Sequence, residues 1–272
     1  MQHLTFDIRV SGSLEETKLI TYIQNYSDEL YINKRGIVLI LPGGAYSFTS
    51  EREGEVLAMK FLSMGYHAAI LKYSCEPAQY PTQILEVAAA VALLRDNCEE
   101  WNIDPEKIIV QGSSAGGHLA ASYGCFWHED FIAEQIGVEQ EEKELFRPNG
   151  LILSYPVITS GTFAHRGSIV NVAGSRYDEL LDKLSLEHQV SEFTPPTFLW
   201  HTFADAGVPC ENSMLFAMAL RKENIPFELH VYPVGSHGLG LATEQSANAE
   251  GGLIEPHCQS WITLAETWLK SL

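Results

Sequence analysis

The sequence has few of the features that mark secreted, membrane-spanning or metal-stabilised proteins. Its five cysteines are odd in number and scattered, with no C-x-x-C pair, which argues against a disulfide framework and a structural zinc site. No apolar run approaches the roughly 18 residues that a spanning helix needs. The first ten residues lack the charged-then-apolar layout of a signal peptide. We therefore expect a cytoplasmic protein with no membrane partner.

Positive charge is also scarce. Lys and Arg number 17 against 35 Asp and Glu, which gives a formal net charge of −18. Such a field repels phosphate backbones, so we expect no nucleic-acid partner. The sequence contains neither the H-E-x-x-H spacing of a metal site nor a G-x-G-x-x-G loop, and it implies no metal and no cofactor. The acidic surface is compatible with a monomer or a homodimer.

What the sequence does contain is one type of unit, used several times: a short apolar strand, a Gly- or Pro-marked turn and a helix. Predicted strands cover residues 4–10, 18–22, 37–41, 67–73, 107–110, 150–154, 197–202 and 227–232. Predicted helices cover residues 81–97, 114–127, 210–223 and 257–272, and another begins at an S-x-x-E capping box, Ser50–Glu53. The first two strands alternate and are expected to be antiparallel edge strands. The pattern predicts an α/β fold with a mostly parallel eight-stranded sheet and helices on both faces, in one domain over residues 1–272.

Two stretches break this rhythm. Residues 128–149 are acidic and are predicted to be loop-like, whereas residues 156–193 contain short helical pieces and three glycines. We expect both to lie near the C-terminal edge of the sheet, where ligands bind in folds of this kind. Residues 156–193 are the better candidate for a small cap over a site, and surface loops are the alternative for both stretches.

The strongest chemical signal is the G-x-S-x-G pattern at Gly112–Gly116, between a predicted strand and a predicted helix. A sharp strand-to-helix turn would lift the Ser114 hydroxyl clear of the sheet, while the flanking glycines let the backbone pack closely. The helix N-terminus also directs N–H groups at developing negative charge. This frame predicts Ser114 as a nucleophile with Ser113 in a supporting role, and a glycine-rich turn without chemistry is the alternative.

A serine nucleophile needs a base, and the base needs an orienting acid. The chain supplies both after late strands: Asp205 follows the strand at 197–202, and His237 follows the last strand. Glu211 is the reserve acid. The other candidate bases lie inside strands or helices or away from strand ends: His118, His165, His188, His201, His230 and His257.

The loop Pro42–Tyr46 follows the first central strand and carries two successive glycines. Such a loop can turn backbone N–H groups inward at little steric cost. Gly44 and Ala45 are therefore the candidate oxyanion donors, joined by the N–H of Ala115 directly after the nucleophile. Taken alone, the loop could equally be an ordinary strand-end turn.

The segments LPGGAYSF, GSSAGGHLAAS, PPTFLWHTFADAGVP and VGSHGL make the chain resemble the α/β-hydrolase superfamily. Within it, the chain is similar to bacterial acetyl-esterase and xylan-esterase-like proteins, which are related to the hormone-sensitive-lipase and prolyl-oligopeptidase catalytic domains. The resemblance runs from about Arg35 to the C-terminus and is weaker between residues 128 and 193. It implies an α/β-hydrolase fold with Ser114 as nucleophile, His237 as base and Asp205 as orienting acid.

The chain departs from the lipase-like H-G-G-G loop, because Pro42 stands in place of the His and Ala45 in place of the third Gly. An H-x-G-S element typical of the esterase-like proteins is present at His165–Ser168, and the sequence alone gives it no role. We expect a serine carboxylesterase acting on short-chain, chiefly acetyl, esters of a small molecule; the resemblance implies acetylated sugars. The alternatives are a formamidase or small peptidase on the same triad, or a non-catalytic binding module.

Overall fold

The framework of the molecule is one eight-stranded sheet, seen in a computed structural model that describes all 272 residues. The strands are β1 (Gln2–Asp7), β2 (Lys18–Ile23), β3 (Arg35–Leu41), β4 (His67–Lys72), β5 (Ile103–Ser113), β6 (Gly150–Ser154), β7 (Thr197–Thr202) and β8 (Phe227–Tyr232). Their order in the sheet is β1-β2-β4-β3-β5-β6-β7-β8. β2 pairs antiparallel with β1 and β4, and every other pairing is parallel. The predicted mostly parallel eight-stranded sheet is confirmed.

Eight α-helices accompany the sheet and cover both of its faces. They are α1 (Glu55–Ser63), α2 (Thr82–Asp96), α3 (Ala115–Phe126), α4 (Asp130–Ile136), α5 (Arg166–Ala173), α6 (Tyr177–Leu180), α7 (Glu211–Lys222) and α8 (Trp261–Leu269). None of them combines the length and the apolarity that crossing a bilayer requires.

The continuous apolar run of β3 explains the two layers of helices. Successive side chains of a strand point to opposite faces. Ile37, Leu39 and Leu41 accordingly lie in the larger core cluster, with residues of α2, α3 and α7. Val38 and Ile40 lie in the smaller cluster, with residues of α1 and α8. A central parallel strand is buried on both faces, so its sequence shows no polar alternation.

The predicted capping box at Ser50–Glu53 is wrong. The Ser50 side chain makes no capping hydrogen bond, residues 51–53 form a single 3₁₀ turn, and α1 begins only at Glu55. The Glu53 side chain turns into the protein, where it is 3% exposed. The carboxylate accepts hydrogen bonds from the Gly43 N–H and the Tyr155 hydroxyl, so it does not cap the helix that follows.

The prediction that residues 128–149 are loop-like is also wrong. α4 and a 3₁₀ segment at Gln140–Phe146 occupy most of the stretch. Ile132, Ala133 and Phe146 anchor these helical turns in the larger core cluster. Phe131, Ile136, Val138 and Leu145 pack against the same cluster while partly exposed. These apolar residues are interrupted by many acidic ones, so their periodicity is too weak to be recognised from the sequence.

Candidate active site

The turn between β5 and α3 places Ser114 in an uncommon backbone conformation, with φ 55° and ψ −118°. Two glycines make this turn possible. A Cβ atom on Gly112 would overlap the carbonyl oxygen of Gly116, and a Cβ atom on Gly116 would overlap the carbonyl oxygen of Leu41. The Ser114 N–H donates to the Ser154 carbonyl oxygen at 2.9 Å, which ties the turn to the end of β6. The surrounding backbone thus holds Ser114 in a strained conformation that would otherwise relax.

Three of the predicted site residues lie in one chain of hydrogen bonds. The Ser114 Oγ is 2.7 Å from the His237 Nε2, and the His237 Nδ1 is 2.7 Å from the Asp205 Oδ2. Because the ionised carboxylate can only accept, the proton of the imidazole belongs on Nδ1. The His237 Nε2 is then free to accept the proton of the serine hydroxyl. The reserve acid Glu211 lies outside this chain, in the first turn of α7 beside the Cys210 thiol.

Asp205 is buried and strongly stabilised as a carboxylate. Burial alone would raise the pKa of its carboxyl, but hydrogen bonds from His201, His237 and the Val208 N–H outweigh burial and hold the pKa well below its usual range. The Asp205 Oδ1 accepts the N–H groups of Gly207 at 2.9 Å and Val208 at 2.8 Å. The acid therefore stays ionised throughout the neutral pH range.

Of the remaining histidines, His201 is the one nearest to the acid. Its Nε2 lies 3.4 Å from the Asp205 Oδ2 and 2.9 Å from the Val208 carbonyl oxygen, and its Nδ1 lies 2.8 Å from the Ser213 Oγ. The ring is fully buried inside β7. It fastens the loop after β7 and does not approach Ser114.

The loop Pro42–Tyr46 presents unused backbone donors. Its backbone follows positive φ angles at Gly44 (134°), Ala45 (55°) and Tyr46 (61°), and the N–H groups of these residues donate no hydrogen bond within the chain. A Cβ atom on Gly44 would overlap the Phe48 carbonyl oxygen, so only glycine fits there. The N–H of Ala115 lies in the first turn of α3, where helical donors have no partner in the helix. The three predicted oxyanion donors thus lie on the two turns that meet at Ser114.

The carbonyl groups of this loop are held in place by other elements. The donors are the hydroxyl of Tyr73 to Pro42 (2.7 Å), the N–H of Ser50 to Gly43 (2.8 Å), the side-chain amide of Asn171 to Ala45 (2.9 Å) and the N–H of Glu76 to Tyr46 (2.7 Å). A loop fixed on its acceptor side keeps its donors aligned without reorganisation, as electrostatic stabilisation of an oxyanion requires.

A buried network that sequence reasoning missed joins this loop to the loop of His237. The Glu53 Oε2 accepts the Gly43 N–H at 2.8 Å, and its Oε1 accepts the Tyr155 hydroxyl at 2.6 Å. The Tyr155 oxygen in turn accepts the Gly240 N–H at 2.8 Å. The ring of Tyr155 also packs edge-on against the ring of His237, with 5.2 Å between the ring centroids. Glu53 and Tyr155 therefore fix the loop Pro42–Tyr46 relative to His237.

Residues 156–193 reach the site through α5. The Asn171 side chain donates to the Ala45 carbonyl oxygen and, at 2.8 Å, to the Ser47 Oγ. At the start of the helix, the His165 Nδ1 accepts the Ser168 N–H at 3.3 Å, so the first and last residues of the H-x-G-S element form a helix N-cap. This contact gives a structural role to an element for which the sequence provided none.

These elements enclose an open cavity of about 230 Å³ at the C-terminal edge of the sheet. Its lining combines the triad serine and histidine with oxyanion-loop residues and with side chains from both flanking loops: Gly44, Ala45, Phe48, Ser50, Arg52, Glu53, Ser114, His165, His237 and Gly238. Ala115 and Asp205 lie behind this surface and are buried.

The parallel sheet, the strained serine turn and the Ser114–His237–Asp205 arrangement define an α/β-hydrolase. The model of the BD-FAE family matches residues 24–220, most of the chain. The chain belongs to this family.

Several known proteins are similar to the chain. It is 38% identical over 233 residues to endo-1,4-beta-xylanase B of Butyrivibrio fibrisolvens, and 29% identical over 210 residues to an acetylxylan esterase of Xylanibacter ruminicola. These matches take in 84% and 75% of the chain but only 35% and 41% of the two relatives, so the chain spans less than half of their length.

Among solved structures, an acetyl ester-xyloside bifunctional hydrolase from Caldicellulosiruptor lactoaceticus superposes with a TM-score of 0.79 at 38% identity. This match covers 94% of the chain and 88% of that protein. The predicted resemblance to acetyl-esterase and xylan-esterase-like proteins is confirmed.

Proposed function

We propose that this chain is a serine carboxylesterase that hydrolyses short-chain acyl esters, with acetyl esters preferred. The observation that carries the proposal is the unbroken hydrogen-bond chain from the Ser114 Oγ through His237 to Asp205, with 2.7 Å at each step. The esterase names of the acetylxylan esterase relative and of the acetyl ester hydrolase structure support the same chemistry.

In the proposed reaction, the Ser114 oxygen attacks the ester carbonyl carbon while its proton passes to the His237 Nε2. The tetrahedral oxyanion accepts hydrogen bonds from the N–H groups of Gly44, Ala45 and Ala115. The C–O bond to the alcohol then breaks, and His237 gives its proton to the leaving oxygen. Water, deprotonated by His237, attacks the acyl-serine, and the carboxylic acid leaves as Ser114 regains its proton.

Asp205 acts in this scheme by holding His237 in the tautomer that has its proton on Nδ1 and by stabilising the imidazolium that forms. Its low pKa suits this role, because a protonated acid would lack the negative charge that stabilises the imidazolium. The carboxylate itself takes no proton.

The preference for short acyl groups is supported by the size of the cavity. Pockets for drug-sized ligands span roughly 300–1,000 Å³, and the cavity at Ser114 is about 230 Å³. The Tyr46 ring at the end of this loop is 1% exposed and does not line the cavity, so it belongs to the core and opens no deeper channel. An acetyl group fits these limits better than a fatty chain.

The proposal is tested with p-nitrophenyl esters from acetate to decanoate, assayed with the unmodified chain and with Ser114→Ala. We expect kcat/KM to be highest for acetate and to fall along the series, and we expect Ser114→Ala to lower kcat by at least about 10³-fold. Thermal unfolding of the variant shows whether it is folded. Retention of more than a few per cent of activity in a clean preparation of the variant would exclude Ser114 as the nucleophile.

A further inference from the structure

We infer that His165 is a substrate-binding residue: its Nε2–H donates a hydrogen bond to an oxygen atom on the alcohol half of the ester, which favours esters of polyhydroxylated alcohols such as sugars. The inference rests on the proposed esterase function. It adds a recognition element to that function, on a residue outside the Ser114–His237–Asp205 arrangement.

The first step concerns the proton on the His165 ring. Its Nδ1 accepts the Ser168 N–H at 3.3 Å and lies 2.9 Å from the Ser168 Oγ. A nitrogen that accepts from a backbone N–H carries no proton itself. The proton of the neutral imidazole is therefore on Nε2, which makes Nε2 a donor.

The His165 Nε2 has no partner within the chain. No group of the chain lies within hydrogen-bond distance of Nε2; both hydrogen bonds of the ring are made by Nδ1. The half-buried ring lines the same cavity as Ser114 and His237. A fixed donor with no partner in the chain, exposed on the wall of this cavity, is placed to bind a substrate.

The third step places His165 on the leaving-group side. The chain before it is fastened to the start of α7, beside the loop of Asp205. The N–H groups of Ile158 and Thr159 donate to the Asn212 Oδ1 at 2.8 and 3.1 Å, and the Asn212 amide donates to the Phe163 carbonyl oxygen at 2.9 Å. His165 is also close enough to His237 and Asp205 for both charges to act on its ring, so it lies on the side of the base, which protonates the leaving alcohol.

The fourth step concerns charge. Burial, together with the nearby His237, lowers the pKa of His165, so the ring stays neutral near pH 7. A neutral N–H donor suits the hydroxyl and ether oxygens of a sugar. A simple alkyl alcohol offers it no acceptor beyond the ester itself, and the net charge of −18 disfavours an anionic alcohol.

The test compares two acetate esters of ring alcohols, a mono-O-acetylated methyl xyloside and cyclohexyl acetate. The second ester has the same type of secondary ring alcohol but lacks the neighbouring oxygens. The quantity measured is the ratio of kcat/KM for the xyloside ester to kcat/KM for cyclohexyl acetate. His165→Asn is the informative variant, because asparagine is a favoured N-cap residue and keeps the contact with Ser168 while its side chain is shorter.

We expect His165→Asn to lower this ratio by about tenfold to a hundredfold, chiefly through a higher KM for the xyloside ester. His188→Asn is the matched control: it makes the same change at an exposed histidine paired with Asp182, and the ratio should not change. An unchanged ratio in His165→Asn would overturn the inference, because any structural disturbance of α5 affects both esters alike. If the unmodified chain hydrolyses neither ester nor p-nitrophenyl acetate, the proposed function itself fails, and the inference with it.

A second measurement needs no variant. In the chain labelled with ¹⁵N-histidine, nuclear magnetic resonance reports which ring nitrogen of His165 carries the proton. We expect the Nε2–H form at pH 7.5 and a change in its signal on adding methyl xyloside but not cyclohexanol. The Nδ1–H form, or equal responses to both alcohols, would contradict the inference.

Discussion

The two irregular segments of the chain touch each other, where His128 stacks on Phe193, but only residues 156–193 contact the candidate site. Residues 128–149 lead from the end of α3 to the start of β6, where the Asn149 N–H donates to the Ile108 carbonyl oxygen in the middle of β5 at 2.8 Å. Residues 156–193 follow the C-terminal end of β6 and place His165 and Asn171 at the cavity. Position relative to strand direction, rather than composition, separates the two segments.

Whether an insertion in a parallel sheet can acquire a role at the site depends on the edge of the sheet at which it lies. A connection that follows a helix returns to the N-terminal edge of the sheet, where it packs against the core but lies far from the ligand side. A connection that follows a strand leaves from the C-terminal edge, where the functional side chains of such folds gather. The predictions below measure this difference, starting from the site itself.

The largest loss of kcat is expected for Asp205→Asn, and the smaller effects of changes in the two segments are compared with it. The amide would favour the wrong tautomer of His237, and other triads lose about 10⁴-fold in kcat from this change. Steady-state kinetics with p-nitrophenyl acetate measures the loss. Glu211→Gln is the matched control and should be nearly silent; the reverse pattern would mean that the acid has been assigned wrongly.

The free energy of unfolding is expected to depend on pH through His118, whose side chain connects α3 to residues 156–193. Its Nδ1 lies 2.8 Å from the Tyr46 hydroxyl and its Nε2 lies 3.1 Å from the Leu184 carbonyl oxygen. Burial lowers its pKa to about 4, whereas the unfolded chain binds the proton near pH 6.5. Stability is therefore lost as the pH falls from about 6.5 to 4, by on the order of 3 kcal/mol from this group.

Urea unfolding between pH 7.5 and 4.5 measures that slope, with His118→Gln as the comparison. The variant lacks the titrating group, so its free energy of unfolding should fall less steeply with acidification than that of the unmodified chain. The other buried histidine with a pKa of about 4, His67, is present in both proteins and cancels in the comparison. Parallel curves would show that His118 does not titrate as described.

Glu53→Gln is expected to lower kcat by about tenfold to a hundredfold with a smaller change in KM. The glutamine amide would face either the Gly43 N–H or the Tyr155 hydroxyl with a donor, so one of the two contacts is lost. Glu51→Gln is the control, because Glu51 is an exposed neighbour paired with Lys72 at 2.5 Å. Equal kinetics for the two variants would deny Glu53 a part in holding the oxyanion loop.

The direct comparison of the two segments uses Asn171→Ala and Arg95→Ala. Asn171→Ala releases the Ala45 carbonyl and should lower kcat by about tenfold. Arg95 donates to the Leu145 carbonyl oxygen at 3.1 Å and to the Pro105 carbonyl oxygen at 2.8 Å, away from the site. Its loss should lower the free energy of unfolding by about 1–3 kcal/mol and leave kcat/KM unchanged. A lower kcat/KM in Arg95→Ala would show that both segments affect the site.

The sequence was sufficient to predict that Ser114, His237 and Asp205 come together, because each follows a strand that is easy to recognise. The apolar runs Ile37–Leu41 in β3 and Phe198–Trp200 in β7 predict strands clearly, and Ser114 lies in a glycine frame whose close packing the structure explains. Predicted and observed bounds coincide for β6, β7 and β8. These features depend on local pattern alone, so one sequence reveals them.

The supporting residues could not be found in this way. Glu53 matched a capping pattern at the surface, yet its real partners, Gly43 and Tyr155, lie 10 and 102 residues away along the chain. Asn171 acts on Ala45 across 126 residues. A buried polar side chain leaves no periodicity in the sequence, and its partner becomes apparent only when the loops are brought together in space.

One consequence follows from α5, which carries both the His165 cap and the Asn171 contact. The two residues are six positions apart, or about 9 Å along the axis of a helix. Because one short helix carries both contacts, the proposed hydrogen bond to the alcohol and the alignment of the loop Pro42–Tyr46 would be mechanically coupled. A shift that widens the alcohol pocket also pulls on Ala45, so selection or engineering for a bulkier alcohol acts on turnover as well. The practical unit for exchanging specificity between relatives is therefore the whole of α5 with its two contacts, not a single side chain.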